Sequence, residues 1–435
     1  MLLIERLESE VRSYCRSWPT VFAEADGWTL VDEAGRRYLD FFAGAGVLNY
    51  GHNHPVLVDR LVEHLRSRGI VHGLDMATTT KQEFLATFDD VVLRPRGMVY
   101  KLQFPGPTGT NAVEAALKLA RKATGRSGVV GFTNGFHGMT LGSLAVTGNG
   151  RKRAGAGVPL TMGGSMPFDG FFGEGVDTIA YFEAFLDDAG SGLDLPAAVI
   201  VETTQAEGGL NVASTHWLRR LAALCRRHGI LLIVDDIQVG CGRTGPFFSF
   251  ERAGIDPDIV CLSKSLSGLG LPMALVLLKP ELDVWSPGEH NGTFRGNNAA
   301  FVTATAALET FWRDDTLEVE TARKARRLAD GLDALVHEHD GLLAGRRGTG
   351  LLQGVSATAP EAAPAIARAA FDRGLLVETA GPDDGVVKLL PPLVIDDAVL
   401  DRALQILADA AEAVVDDLGR GLVAADHPSV QGSQL

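Results

Sequence analysis

The sequence predicts an α/β fold, with a mostly parallel sheet covered by helices on both faces and a smaller α+β segment after it. Between about residues 95 and 280, short apolar runs alternate with helical patterns, as in strand–helix units. The runs are rich in branched residues and nearly continuous, which is typical of strands buried on both faces. A chain of 435 residues is also long enough for a large sheet domain with a second lobe. The predicted strands lie at 129–132, 197–201, 230–234, 259–262 and 273–278.

Shorter signals predict the elements that precede this region. Residues 1–18 carry an amphipathic helical pattern that ends before Pro19. Trp28–Val31 and Arg37–Phe41 flank a turn and predict an antiparallel hairpin. A glycine-rich loop follows and opens a helix near Pro55, because proline is favoured at the first helical position.

The C-terminal part begins with a charged helix near 316–337, which leads into the smaller α+β segment. The polar residues from about 424 to 435 are expected to be frayed.

Composition and charge exclude several classes of function. The formal net charge is −14 and there is no basic tail, so nucleic acids and anionic membranes are not expected partners. No apolar stretch approaches the ~20 residues that span a bilayer. The four cysteines are scattered, which argues against a disulfide framework or a zinc site and fits a reducing cytoplasm. His52 and His54 lack a carboxylate ligand set, so no metal site is predicted.

Two charged residues follow two of the predicted strands. Asp235 comes directly after Ile230–Val234, and Lys264 follows Ile259–Leu262 after a single serine. Ligands in open α/β sheets bind beyond the carboxyl ends of the strands, so both side chains are expected to face one crevice. An amine can bind an aldehyde cofactor and move a proton, while a carboxylate keeps a pyridine nitrogen protonated. The pair therefore indicates pyridoxal 5'-phosphate chemistry.

Alternatives exist for these residues. Asp235 and Asp236 could form a paired-carboxylate acid/base site, although adjacent strand residues point to opposite faces. Lys264 could be a solvated surface lysine, which the apolar run before it disfavours. Gln238 could hydrogen-bond the hydroxyl of a cofactor ring or only local backbone.

A glycine-rich loop predicts a phosphate site. Phe104–Asn111 precedes a helix, and free N–H groups at a helix N-terminus hold a dianion. Gly109 lets the backbone approach the phosphate, and Thr110 adds a hydroxyl. The alternative is an ordinary N-cap at Thr110 or Asn111. Phe136 could stack on a cofactor ring or simply fill the core.

These motifs resemble the class III, fold-type I aminotransferases. The likeness rests on Ile233–Gly240, Gly242–Gly245 and Ser263–Lys264, and the aspartate-to-lysine spacing (264 − 235 = 29) is also similar. It covers nearly the whole chain. The further matching segments are Phe136–Gly138, Glu202–Gly208, Gly292–Asn297 and Lys388–Leu393.

Within the family, the chain is most similar to the branch that exchanges an amino group between 2,4-diaminobutyrate and 2-oxoglutarate, the opening reaction of ectoine synthesis. The segments that carry this likeness are Phe41–Gly46 with Asn49–Gly51, Gly73–Met76 and Phe136–Ser143.

The resemblance implies a role for each matching residue. Lys264 would be the catalytic residue and would bind pyridoxal 5'-phosphate covalently. The further cofactor-binding residues would be Asp235 at the pyridine nitrogen, Gln238 at the ring hydroxyl, Phe136 stacked on the ring, and Gly109 and Thr110 at the phosphate. Thr293 of a second subunit would join them, since such enzymes are at least homodimers.

The resemblance also implies a division into domains. Residues 1–55 and 325–425 would form the smaller domain, 56–324 the large cofactor-binding domain, and 426–435 a flexible tail.

Three residues depart from the wider family. Many relatives carry an arginine where Met139 stands and another where Lys388 stands, and lysine lacks the bidentate fork of arginine. Both changes resemble the diaminobutyrate branch. Ala206 replaces a usual glycine beside Glu207 and could reshape the pocket.

By analogy with related enzymes, Lys388 would pair with Glu207 when the amine donor is bound and be free for a 2-oxoglutarate carboxylate. The alternative is two unconnected surface charges.

The sequence therefore predicts transamination between an amino donor and a 2-oxo acid acceptor. Another ω-amino acid transaminase or an aminomutase is the nearest alternative. A non-catalytic module that only binds the cofactor is a more remote one.

Overall fold

The fold is that of a computed structural model, which describes residues 2–161 and 163–425. The predicted flexible tail, residues 426–435, lies outside the described residues. At its centre is a seven-stranded sheet. In spatial order its strands are Lys101–Gln103, Leu275–Leu278, Ile259–Leu262, Leu231–Asp235, Ala198–Val201, Val129–Phe132 and Gly163–Met166. Leu275–Leu278 runs antiparallel to both of its neighbours, whereas the pairs from Ile259–Leu262 onward are parallel. The predicted mostly parallel sheet is confirmed.

Helices cover both faces of this sheet. Alternate strand residues belong to two separate apolar clusters, because successive side chains of a strand point to opposite faces. Val199 and Val260 pack on one side with Trp217, whereas Ile200 and Ile259 pack on the other side. The main helices are Pro55–Arg66, Thr79–Phe88, Gly109–Thr124, Thr178–Asp187, Thr215–His228 and Asn298–Phe311, and two shorter ones are Leu141–Ala145 and Gly150–Ala154.

Residues from both chain ends share one sheet. The strand Arg37–Asp40 pairs in parallel with Leu375–Leu376 and antiparallel with Thr29–Asp32, which in turn pairs antiparallel with Phe22–Asp26. A second sheet has four strands, with Leu352–Ala357 at its interior. Its other strands are Leu343–Thr349, Val386–Leu389 and Glu378–Ala380, and the nearby helices are Thr316–Glu338, Ala362–Asp372 and Asp397–Ala425. The exact domain boundaries, near residues 55 and 325, stay a prediction.

Of the two N-terminal predictions, the single helix was wrong and the antiparallel hairpin was confirmed. Residues 2–18 do not form one helix; in the break between the two helices, the carbonyls of Glu8 and Ser9 accept hydrogen bonds from the Arg12 side chain. The two short helices are Leu2–Leu7 and Tyr14–Ser17, and the predicted hairpin gains a third strand, Phe22–Asp26.

Within the described ranges, no helix combines the length and the apolar character needed to cross a membrane.

Candidate active site

Asp235 and Lys264 lie at the same edge of the central sheet. Their strands are parallel neighbours in which Asp235 is paired with Cys261, and Lys264 follows three residues later. The backbone of Lys264 has a φ of +49°, a strained value that is common at functional sites. Burial lowers the pKa of Lys264 to about 8, although the charge of Glu207 acts in the opposite direction. This amine therefore loses its proton more readily than that of an ordinary lysine.

A left-handed turn holds the Lys264 amine. Ala43, Gly44, Ala45 and Gly46 all have positive φ angles, of +46°, +61°, +57° and +83°. The carbonyl of Ala45 accepts hydrogen bonds from Lys264 Nζ at 2.9 Å and from Gln238 Nε2 at 2.7 Å. The turn thus brings the two predicted residues together. Sequence reasoning missed Ala45, since a backbone carbonyl leaves no trace in the residue type.

Asp235 is buried and held by a histidine. Its Oδ2 lies 2.7 Å from His137 Nδ1, and its Oδ1 accepts a hydrogen bond from the Ile237 N–H at 3.2 Å. Burial disfavours a charged His137, but the hydrogen bond and the charge of Asp235 outweigh it and raise the histidine pKa. The hydrogen bond to His137 therefore fixes the direction of the Asp235 carboxylate. The histidine was not a predicted site residue, although it stands in the segment that starts at Phe136.

Asp236 does not share this site. Its Oδ2 accepts the Ser249 N–H at 3.0 Å, on the other side of the strand from His137, and its Oδ1 is bonded to the Ser249 hydroxyl. Burial raises the pKa of Asp236 to about 7. The paired-carboxylate alternative is therefore excluded by the direction of the two side chains.

The predicted phosphate loop begins the helix Gly109–Thr124 as expected. The N-cap position is Thr108, whose N–H donates to the Asn111 side chain at 3.2 Å, so Thr110 is free of that role. Thr110 Oγ1 instead lies 2.6 Å from Thr140 Oγ1 and 2.8 Å from Ser143 Oγ. Three hydroxyls thus gather beside the N–H groups of a first helical turn, which suits a phosphate. Thr140 and Ser143 were missed, although the family resemblance included their segment.

Two glycines keep this cradle open. A Cβ at Gly138 would stand 2.5 Å from Thr110 Oγ1, and the φ of Gly138 is +132°. A Cβ at Gly109 would press on the Ile237 side chain at 3.1 Å.

Phe136 is only half-buried and belongs to none of the apolar core clusters, so it does not fill the core. One face of its ring is covered by the Lys152 ammonium, at 4.1 Å from the ring centroid. Only the opposite face is available for stacking.

Lys388 and Glu207 are paired, so the alternative of two unconnected surface charges is wrong. Lys388 is fully buried, and its Nζ lies 2.7 Å from Glu207 Oε1 and 2.8 Å from Glu378 Oε1. Burial opposes ionisation of Glu207, but the charges of Lys388 and Lys264 lower its pKa. For Glu378 burial prevails and the pKa is raised. Glu378 was missed because only the antiparallel register of its strand places it opposite Lys388.

The remaining predicted residues are Ala206, Met139 and Thr293. Ala206 is buried in an apolar cluster with Leu210 and Val239, while the Met139 side chain is 56% exposed. Thr293 lies in a short 3₁₀ turn, and its carbonyl accepts a hydrogen bond from His72 at 2.8 Å. Within the described chain, no hydrogen bond joins Thr293 to Thr110 or Lys264.

The residues present fit pyridoxal 5'-phosphate. The amine of Lys264, whose pKa is lowered, is available for the aldehyde. The Asp235 carboxylate is available for the pyridine nitrogen, and the hydroxyls of Thr110, Thr140 and Ser143 are available for the phosphate. At Gly109 and Gly138, a side chain would press on Ile237 and on Thr110, so glycine at both positions leaves the phosphate-binding residues undisturbed.

Comparisons with known proteins agree with this chemistry. Residues 13–411 match the family described as aminotransferase class III. The chain is 60% identical over 417 residues to a diaminobutyrate–2-oxoglutarate transaminase of Bordetella parapertussis, covering 95% of this chain and 96% of that protein. It is 56% identical over 416 residues to the enzyme of that name from Halalkalibacterium halodurans, covering 96% and 97%.

Solved structures share the fold. The ornithine aminotransferase of Toxoplasma gondii superposes with a TM-score of 0.83 at 26% identity, over 96% of this chain and 95% of that chain. A transaminase from the marine bacterium Virgibacillus has a TM-score of 0.85 at 19% identity, over 96% and 99%, which shows the fold alone. The sequence, the central sheet and the position of Lys264 and Asp235 at one sheet edge all agree with this family. The chain belongs to the class III aminotransferases, enzymes that use pyridoxal 5'-phosphate.

Proposed function

We propose that the protein catalyses the reversible reaction of L-2,4-diaminobutyrate and 2-oxoglutarate to L-aspartate 4-semialdehyde and L-glutamate, by a ping-pong mechanism. The observation that carries the proposal is the buried Lys388–Glu207 pair beside Lys264, which offers both a cation and an anion to the two unlike substrates. The names of relatives at 55–61% identity support the same reaction.

Each residue has a distinct task in this proposal. When bound, the cofactor supplies an electron-withdrawing pyridinium that acidifies the substrate carbon next to the reacting nitrogen. Lys264 Nζ accepts a proton at that stage and returns it, which its lowered pKa permits. Asp235, fixed by His137, holds the proton on the pyridine nitrogen. Thr110 and the first helical turn hold the phosphate.

We further propose that Lys388 changes partners between the half-reactions. With diaminobutyrate bound, Lys388 stays with Glu207; with 2-oxoglutarate or glutamate bound, it serves the α-carboxylate. Glu378 would keep one charge contact to Lys388 in both states, so that releasing Glu207 does not leave the buried ammonium alone.

Replacing Lys388 with alanine is expected to slow the glutamate half-reaction about 10- to 100-fold more than the diaminobutyrate half-reaction, since one charge-assisted hydrogen bond is lost. Stopped-flow absorbance of the cofactor measures the rates of both half-reactions on one preparation. A loss of folded protein therefore affects both rates and cancels in their ratio. An unchanged ratio between the two would refute the exchange of partners.

A donor and acceptor screen tests the reaction itself. The purified protein is expected to be yellow, and its spectrum to change when diaminobutyrate is added. Glutamate should then form in amounts equal to aspartate semialdehyde when 2-oxoglutarate is supplied. An aminomutase would need no 2-oxo acid, and a module that only binds the cofactor would show no spectral change.

We also propose a cytoplasmic homodimer or larger homo-oligomer that serves ectoine or another diaminobutyrate-derived synthesis. Thr293 would complete the phosphate site of the neighbouring subunit. The support is an exposed apolar surface around it, where Phe294 is 66%, Met76 58% and Val71 48% exposed. Sedimentation equilibrium would contradict this proposal by giving the mass of one chain, 46.2 kDa.

A further inference from the structure

A cavity of about 650 Å³ opens from Glu207 toward the protein surface. Its wall includes Met139, Glu378 and Tyr14, together with three cationic residues, Arg151, Lys152 and Arg368. Glu207 in this wall lies 2.7 Å from Lys388 Nζ, so the cavity adjoins the charge pair to which the proposed function assigns substrate recognition.

The inner part of this cavity offers no spare cation for a second carboxylate. Lys388 is already held by Glu207 at 2.7 Å and by Glu378 at 2.8 Å. Met139, which also lines the cavity, carries no charge. A carboxylate that enters an enclosed site without a partner is strongly disfavoured. A substrate with a carboxylate at its far end therefore needs another cation.

Lys152 meets that need. Its ammonium lies over the Phe136 ring, and within the described part of the chain no carboxylate forms an ion pair with it. Its charge, with those of Lys388 and Lys264, lowers the pKa of Glu207. Lys152 thus stands near both the predicted stacking ring and Glu207. Its backbone is fixed, since its N–H donates to Asn149 Oδ1 at 3.0 Å in the helix Gly150–Ala154.

The neighbouring cations are less suitable. The Arg151 side chain is 76% exposed and is already paired with Asp384 at 3.2 Å. Arg368, which also lines the cavity, is exposed.

The two proposed amino donors share one geometrical property. In glutamate, the far carboxylate carbon is three carbon–carbon bonds from the carbon that bears the reacting amine. In diaminobutyrate that reacts through its 4-amino group, the carboxylate carbon is also three bonds from the reacting carbon. A single cation at a fixed distance can therefore serve both molecules.

We infer that Lys152 binds the far carboxylate of both substrates, an inference that rests on the proposed function. This is the side-chain carboxylate of glutamate and 2-oxoglutarate and the α-carboxylate of diaminobutyrate. The remaining groups then match the remaining residues. The α-ammonium of diaminobutyrate faces Glu207, and the α-carboxylate of glutamate faces Lys388. Lys152 is the common anchor, and the Glu207–Lys388 pair distinguishes the two molecules.

Replacing Lys152 with methionine tests the inference, with norvaline as a matched donor that has glutamate's length but a methyl group in place of the far carboxylate. We expect kcat/KM for glutamate and for diaminobutyrate to fall about 10- to 100-fold, and that for norvaline to change less than about twofold. Lys152→Arg should recover most of the loss. An equal loss with norvaline would show a role in placing Phe136 and would overturn the inference.

Arg151→Met is the matched control, because it removes the same charge from the adjacent residue. If Arg151→Met caused as large a loss as Lys152→Met, the loss would reflect the overall positive charge of the cavity and not one specific contact, and the inference would be wrong. The expected change for Arg151→Met is less than about threefold, as for an exposed charge.

Binding of glutarate separates this inference from the proposed function. Glutarate has two carboxylates and no group that can react, so calorimetry on the cofactor-loaded protein measures affinity without turnover. Lys152→Met should weaken its binding about tenfold or more, while an unchanged cofactor spectrum shows that the ring site is intact. Unchanged glutarate affinity would overturn the role of Lys152. If the wild-type protein did not react with diaminobutyrate, the proposed function would be refuted instead.

Discussion

Replacing Lys264 with alanine is expected to reduce transamination by at least about 10³-fold, because the same amine binds the cofactor and moves the proton. The variant should fold, because Lys264 makes one hydrogen bond, to a backbone carbonyl. Its replacement also removes an amine whose charged form is disfavoured by burial. Mass spectrometry after borohydride treatment would show no cofactor attached to the peptide that contains residue 264. Full turnover in this variant would overturn the site assignment.

Lys279→Ala is a matched control for that experiment. Lys279 also follows a strand of the central sheet, Leu275–Leu278, but its ammonium pairs with Asp256 at 2.9 Å and Asp258 at 3.3 Å. We expect this variant to keep its turnover and its bound cofactor. The contrast would show that position in the sheet, and not lysine chemistry alone, selects Lys264.

The second large effect is expected for Asp235→Asn, which keeps the shape of the side chain and removes its charge. A buried ionic contact is broken, at a cost of about 3–5 kcal/mol, so we expect turnover to fall roughly 10²- to 4 × 10³-fold. The reason is that a neutral amide cannot keep the pyridine nitrogen protonated. Steady-state kinetics on protein fully loaded with cofactor measures this loss, and the absorbance maximum should shift as well.

Asp236→Asn provides the control at the adjacent position. Asp236 is equally buried, but it serves Ser249 on the opposite side of the strand. Its replacement should lower the free energy of unfolding by about 1–3 kcal/mol and leave kcat nearly unchanged. If both variants lost turnover equally, the orientation of the two carboxylates would not explain catalysis, and the role of Asp235 would be in question.

The parts of the site that depend on strand ends were predictable from the sequence. Asp235 and Lys264 each follow an apolar run, and parallel strands end at one edge of a sheet. The loop before the helix Gly109–Thr124 was predictable for a similar reason, since glycines before a helical stripe indicate an anion site.

Other parts required the three-dimensional arrangement. Glu378 reaches Lys388 only through an antiparallel register, and a shift of one residue would turn it away. Ala45 contributes a carbonyl, which every residue type has, so its function depends on the left-handed turn. Lys152 is one of several basic residues in a short helix, and its place over Phe136 follows from packing.

By itself the sequence determined the fold class, the family and the position of Asp235 and Lys264 at one edge of the sheet, because these depend on local patterns of burial and on residue type. The tertiary structure decided which charged residues pair with each other. It paired Lys388 with two carboxylates, turned Asp235 toward His137 and left Lys152 without a carboxylate partner inside the described chain. Electrostatic interactions fall with the distance between charges, and that distance is set by strand register and helix packing, which no local pattern contains.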